Sequence, residues 1–231
     1  MARILNNHDM DVVVGSQMVE GAFTRQAWGD YVSKLIDQAS KGEIQGDDWV
    51  LASSIQEDLG QDGNVESNRA ELMSLYRAQY INQWTKFVQG IAIQNFTSPA
   101  QAASALTRLD DPANSPVKLL LNRVAFETAW DNPSELSKSL DSAAKSLLQK
   151  TEALFNSNTP ATGNNAATQY GVVGGVFAGV AQLVKGDHAP INGYLDQLAK
   201  VKSKFVAMSA TDDPGLQAGA ALKATLSGSG S

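Results

Sequence analysis

The chain contains no cysteine. Disulfide scaffolds, thiolate metal sites and thiol nucleophiles are thereby excluded, while the compartment stays open, because cytosolic and envelope proteins alike can do without cysteine. Histidine is nearly as scarce, with His8 and His188 the two present. Neither falls in an H-x-x-x-H pair, the spacing that turns two imidazoles toward one metal from a helix face, so no metal site is expected. His188, within Gly186-Asp187-His188-Ala189-Pro190, reads as a turn residue. Positive charge is in deficit, 18 Lys and Arg against 24 Asp and Glu, for a formal charge of −6 and a pI near 4.9. Such a chain is a poor electrostatic partner for a phosphate backbone, and nucleic acid is not expected. Long hydrophobic runs are missing too: the longest, Gly171–Val184, falls well short of the roughly 20 residues of a spanning helix. No apolar stretch follows Met1–Asn7 as a signal peptide requires, so the chain reads as soluble. That beginning, and the ending Ser227-Gly228-Ser229-Gly230-Ser231, fit an excised piece of something longer.

What is present suits a helical protein. At 231 residues and 43% hydrophobic, the chain can form one large domain or two small subdomains with a real core. Its charge is uneven, net −7 over residues 1–115 and +1 over 116–231. Between Gly42 and Asn68 the acids Glu43, Asp47, Asp48, Glu57, Asp58, Asp62 and Glu66 have no Lys or Arg among them. This stretch reads as a long irregular acidic loop with a solvated face, pinned to the core by Trp49, with a short strand possible at Trp49-Val50-Leu51.

Helix punctuation is dense. Thr24 stands as an N-cap before the amphipathic run Trp28, Tyr31, Val32, Leu35, Ile36, which stops at Gly42. From Glu66 to about Ile93 the residues Leu72, Tyr76, Tyr80, Trp84, Phe87 and Ile91 recur every three or four positions, the stripe of a long core-facing helix. Ring stacking on a cofactor is the sharper reading of these aromatics, and core packing the simpler one. Ser98-Pro99-Ala100-Gln101 and Ser115-Pro116 are Ser-Pro helix starts, the first with a glutamine placed to return a hydrogen bond. They open helices over about Pro99–Leu109 and Pro116–Trp130. Pro133 opens another, running to Phe155. Asn156–Gln169 is a polar linker and the best candidate for a subdomain boundary. Beyond it Tyr170–Lys185 reads as a helix on the strength of Val173, Val176, Phe177, Val180, Leu183 and Val184. Ile191, Tyr194, Leu198, Val201, Phe205 and Met208 form a narrow seam on the next, and a last helix covers about Gly215–Leu226. No repeat of fixed period is found. The expected fold is thus all-α, a bundle of about seven to eight helices. Residues 1–22 form an N-terminal extended segment, 23–226 the helical domain with possible sub-bundles 23–156 and 170–226, and 227–231 a tail.

No catalytic, cofactor-binding or metal-binding residue is assigned. Asp58-Leu59-Gly60-Gln61-Asp62-Gly63-Asn64 departs from a calcium loop at Gly60 and at Arg69, where ligand oxygens are required. Gly171-Val172-Val173-Gly174-Gly175 shares only glycine content with a phosphate loop and is read as helix-packing glycine. Of the acid pairs Asp47-Asp48, Asp110-Asp111 and Asp212-Asp213, the two before Pro112 and Pro214 are read as helix caps rather than as catalytic carboxylates.

Val19-Glu20-Gly21-Ala22-Phe23-Thr24-Arg25-Gln26-Ala27-Trp28 resembles the opening of the C-terminal, periplasmic helical region of the IcmF/TssM family of type VI secretion, a "G-x-F-T-x-x-x-W" followed by an aromatic-rich helix. Later pieces agree in order: Asp48-Trp49-Val50-Leu51, Leu75-Tyr76 with Tyr80 and Trp84, Ser115-Pro116-Val117 with Leu119-Leu120 and Glu127-Thr128, Val176-Phe177 with Leu183, and Tyr194-Leu195 with Leu198. The resemblance implies an inner-membrane protein whose long periplasmic region reaches toward an outer-membrane lipoprotein, assembled with a smaller inner-membrane subunit and with itself. It implies a non-enzymatic structural module here, without the transmembrane segment, the phosphate loop or the β-rich C-terminal domain of the family. A soluble helical adaptor or enzyme accessory domain with an unidentified protein partner is the other reading.

Overall fold

The computed structural model describes residues 4–5, 9–43, 64–136, 169–211 and 213–227. Helix accounts for 68% of them, and the sheet among them is one two-stranded ribbon, so the all-α expectation holds. The chain divides into two compact units built from alternating stretches. The first comprises Met1–Gln17, Gly90–Ala125 and Gly179–Ser231, the second Met18–Gln89 and Phe126–Ala178. The expected linker Asn156–Gln169 lies, but for its last residue, outside the described residues. The acidic loop and Trp49 lie largely outside them too, along with His8, the Asp58–Asn64 stretch and the helix beyond Leu136.

In the second unit a 3-10 turn, Gly21–Phe23, leads to Thr24, whose hydroxyl accepts from the Ala27 N–H at 3.1 Å and caps α1, Arg25–Ala27. A π-turn, Trp28–Val32, then joins α1 to α2, Ser33–Ser40. This corrects the expected continuous α-helix. The wider turn sets Ala27, Val32 and Ile36 on one buried face against Leu72 and turns Tyr31 out to solvent. The stop is as read: Gly42 takes φ +70°, a left-handed conformation that glycine adopts without steric cost. The long helix α3, Val65–Gln89, buries Leu72, Tyr80, Trp84 and Phe87 as the stripe requires. It ends before Ile91, which the stripe had included. Also in this unit are α6, Pro133–Leu136, and α7, Val172–Val176.

In the first unit, β1, Val13–Gly15, pairs antiparallel with β2, Ile91–Ile93, in the register Val13↔Ile93. Part of the N-terminal extended segment is therefore sheet. The Arg108 guanidinium grips Asp11 with two bonds of 2.8 and 2.7 Å, and holds that carboxyl below the usual range. Arg108 sits on α4, Pro99–Leu109, whose start is the expected one: Ser98 Oγ accepts from Gln101 N–H at 3.2 Å, while Gln101 Oε1 accepts from the Thr97 N–H rather than the cap's own. Asp111 accepts from the Ala113 and Asn114 amides, both at 2.8 Å, and these bonds lower its pKa, so this acid is a turn-former before α5, Pro116–Glu127. The helix α5 stops short of Trp130 and passes from the first unit into the second.

The expected helix Tyr170–Lys185 is two short ones, α7 and α8, Ala178–Leu183, broken at Phe177. Val173 and Phe177 are buried, but Val176 and Leu183 are exposed. His188 is a turn residue as read. In α9, Pro190–Ser209, the buried line is Ile191 and Leu195, packed with Val117, Leu121 and Leu198. Tyr194 and Val201, expected on the seam, face outward. Lys202 is partly buried and pairs with Asp110 at the end of α4. Last comes α10, Pro214–Leu226, capped by Asp213 through the Leu216 amide at 3.0 Å.

Candidate functional site

The most elaborate polar constellation among the described residues lies in the second unit, where α5 ends. Above it the aromatic stripe forms a continuous cluster. Trp28 packs on Trp130 at 4.2 Å between ring centroids, Tyr80 reaches Trp130 at 5.6 Å, and Trp84 meets Phe87 at 5.5 Å. Three of these rings bond backbone carbonyls, while the Trp130 indole N–H is buried without a hydrogen-bond partner. Tyr76 Oη–H donates to Ala22, Tyr80 Oη–H to Glu127, and Trp84 Nε1–H to Phe23, at 2.9, 2.8 and 2.9 Å. Burial raises the pKa of both tyrosines far above the usual phenol range. Tyr80, Trp84, Phe87 and Trp130 are buried core, as the simpler reading had it, with Trp28 and Tyr76 partly buried against them.

Two carboxylates are buried at the same place, 1% and 2% exposed at Glu127 and Asp131. Glu127 Oε2 accepts the Arg25 backbone N–H at 2.6 Å, while the Arg25 side chain pairs with Glu135 and lies 4.6 Å over the Phe126 ring. Asp131 accepts from Val173 N–H at 2.9 Å and Gly174 N–H at 3.0 Å, and Asn132 Oδ1 accepts from Gly171 N–H at 2.9 Å. The glycine run that looked faintly like a phosphate loop is thus an anion-binding turn after all, and its anion is the chain's own Asp131. Two of its glycines are required. A Cβ at Gly171 would lie 2.1 Å from the Asp131 carbonyl oxygen, and one at Gly174 would lie 1.9 Å from Asn132 Oδ1, whereas nothing stands within 4 Å at Gly175.

Neighbouring glycines should therefore respond with opposite sign. Gly171→Ala is expected to destabilise by about 1–3 kcal/mol through overpacking. Gly175→Ala, in an open helical position, is expected to stabilise by about 0.5–1 kcal/mol. Thermal melts of the two variants check this.

Chemically, both carboxylates are committed to structure. No group of three or more His, Asp or Glu among the described residues is arranged to hold a metal, and no described helix is long and apolar enough to cross a membrane. Sequence reasoning assigned no role to Glu127, Asp131, Asn132 or Arg25. The local signal was an unusual clustering of Glu, Thr, Asp and Asn where a helix ends before Pro133, but nothing local ties it to a glycine run some 40 residues on. Among the exposed apolar side chains are Val172 and Val176 in the second unit, and Leu216, Leu222 and Leu226 on α10 in the first.

A family model described as "IcmF-related: Intracellular multiplication and human macrophage-killing" matches residues 1–129. That range takes in Val19–Trp28, Leu75–Trp84 and Ser115–Thr128, which carry much of the resemblance read from the sequence. The chain is 27% identical over 142 residues to the type VI secretion system component TssM1 of Pseudomonas aeruginosa, an alignment covering 59% of this chain and 12% of that protein. Its fold is similar to that of a chain in a type VI secretion system membrane core complex, with a TM-score of 0.55 at 18% identity over 97% of this chain and 38% of the other. It spans well under half the length of either relative. With the family model matching more than half of its residues, the chain belongs to the IcmF-related family.

Proposed function

We propose that this chain is a non-catalytic helical module of a type VI secretion membrane complex, on the periplasmic side of an inner-membrane protein, where it helps to link that membrane to an outer-membrane lipoprotein. The carrying observation is the family match over residues 1–129, joined by the alignment to TssM1. The geometry supports a structural role, because the buried carboxylates and tyrosine hydroxyls that a catalyst would present to substrate are engaged with backbone groups. A module of this kind works through its surfaces and through association with other subunits of the complex, including further copies of its own full-length protein and a small inner-membrane subunit. Tight docking needs a buried aromatic or apolar anchor, and the aromatic residues of the second unit are mostly consumed by its own core. The module is thus a rigid platform that positions the family's β-rich C-terminal domain, and it binds the lipoprotein weakly or not at all by itself. Titration of purified lipoprotein should give weak or undetectable binding to this chain and tight binding to a longer one that includes the β-rich domain. Equal submicromolar affinity for both would make the helical platform itself the binding site, and no binding to either would remove the lipoprotein link.

A further inference from the structure

The segment from Gly171 to Phe177 is held in an unusual way. Its helix α7 has five residues, too few for stability of its own. Val173 and Phe177 point inward and are buried, while Val172 and Val176 are 57% and 58% exposed. Three polar bonds complete the attachment, and all three end on one dipeptide: Val173 and Gly174 N–H on the Asp131 carboxylate, and Gly171 N–H on Asn132. Within the segment, Gly175 N–H returns to the Gly171 carbonyl at 2.8 Å. One observation works against the closed arrangement. Arg77 Nε is buried with no hydrogen-bond partner, 3.6 Å from Asp131 Oδ2, a distance at which the ion attraction is retained and the directed bond is not. A buried donor left without an acceptor raises the free energy of the state that buries it.

We propose that residues 171–177 are a strap latched on Asp131, which opens as one local unit while α3 and its aromatic cluster stay folded. Few buried side chains, one five-residue helix and a single anchoring carboxylate place the strap at the low end of the range of local stabilities, whereas Tyr80 and Trp84 belong to the high end. Opening uncovers Val173 and Phe177 beside the already exposed Val172 and Val176, and frees Asp131 to turn toward Arg77. The strap is therefore a two-state element of the second unit, set by one residue and independent of any assignment of function.

Amide hydrogen exchange followed by NMR on the 231-residue chain tests this. In the unaltered protein the amides of Val173, Gly174, Gly175 and Phe177 should exchange together, and faster than those of Tyr80 and Trp84. Asp131→Asn keeps the size but sets an NH₂ where an acceptor stood. It should speed exchange of the strap amides by roughly tenfold or more and leave Tyr80 and Trp84 unchanged. Asn132→Ala removes one of the three bonds and should have a smaller effect with the same selectivity. Strap amides that exchange only with α3 in the unaltered protein would overturn the proposal, as would variants that speed the strap and α3 by the same factor or change neither. Should Asp131→Asn fail to fold, the unaltered chain and Asn132→Ala still decide.

Discussion

Trp84→Ala is expected to lower the unfolding free energy by about 3–5 kcal/mol, the range for truncating a large aromatic in a packed core. Trp84 is 3% exposed. Its ring stacks with Tyr80 at 6.4 Å and meets Phe87 edge-on at 5.5 Å, and its indole N–H donates to the Phe23 carbonyl. Alanine removes the apolar contacts and leaves that part-buried carbonyl without its donor, so the transfer, cavity and hydrogen-bond effects all have the same sign. The neighbours cannot collapse into the space freely, because Tyr80 is fixed by its bond to the Glu127 carbonyl. Urea denaturation read by circular dichroism measures the loss. A change near zero would mean that the stripe on α3 is not core.

Glu127 should be at least as sensitive, and for a different reason. Its carboxylate is the acceptor for the first amide of α1, a group that the helix itself cannot satisfy. In Glu127→Ala that amide is left buried or poorly solvated, at about 1–3 kcal/mol, and the lost side-chain volume adds a large-to-small penalty of about 2–5 kcal/mol. Glu127→Gln keeps the volume and an oxygen acceptor and gives up the charge, so it should cost only about 1 kcal/mol. Comparing the two by denaturant unfolding separates the roles. Equal losses would show that the negative charge, rather than the acceptor, holds α1.

The features legible in the sequence were those encoded within a few residues. Thr24, Ser98 with Pro99 and Gln101, Asp111, Asp213 and Gly42 all act on backbone groups two to four positions away, and the structure shows them acting so. The stripe on α3 was legible because a long helix repeats its own period. What was not legible depends on partners distant along the chain. The β1–β2 pairing joins residues 76 to 80 positions apart, from Gly15 with Ile91 to Val13 with Ile93, and three-residue strands carry no alternation long enough to read. On α9 the pattern Tyr194, Val201 fits a seam by spacing as well as Leu195, Lys202 does; the structure buries Leu195 beside Ile191 and pairs Lys202 with Asp110. The π-turn is not legible because a single extra residue shifts the period midway, which parts Tyr31 from the face of Val32. The buried site escaped for the same reason as the ribbon, since Asp131 and Gly171 meet only in the folded chain.

The ribbon itself has a kinetic consequence. It joins Val13–Gly15 to Ile91–Ile93, so its formation closes a loop that contains the whole of α1, α2 and α3. For a flexible chain of that length the closure entropy is roughly 4 kcal/mol, more than a ladder of three residue pairs returns unaided. Once the helices between have packed, the effective loop is far shorter and the cost falls. The ladder is thus expected to close late in folding, its amides gaining protection in pulse-labelled exchange only after those of the helices between its strands.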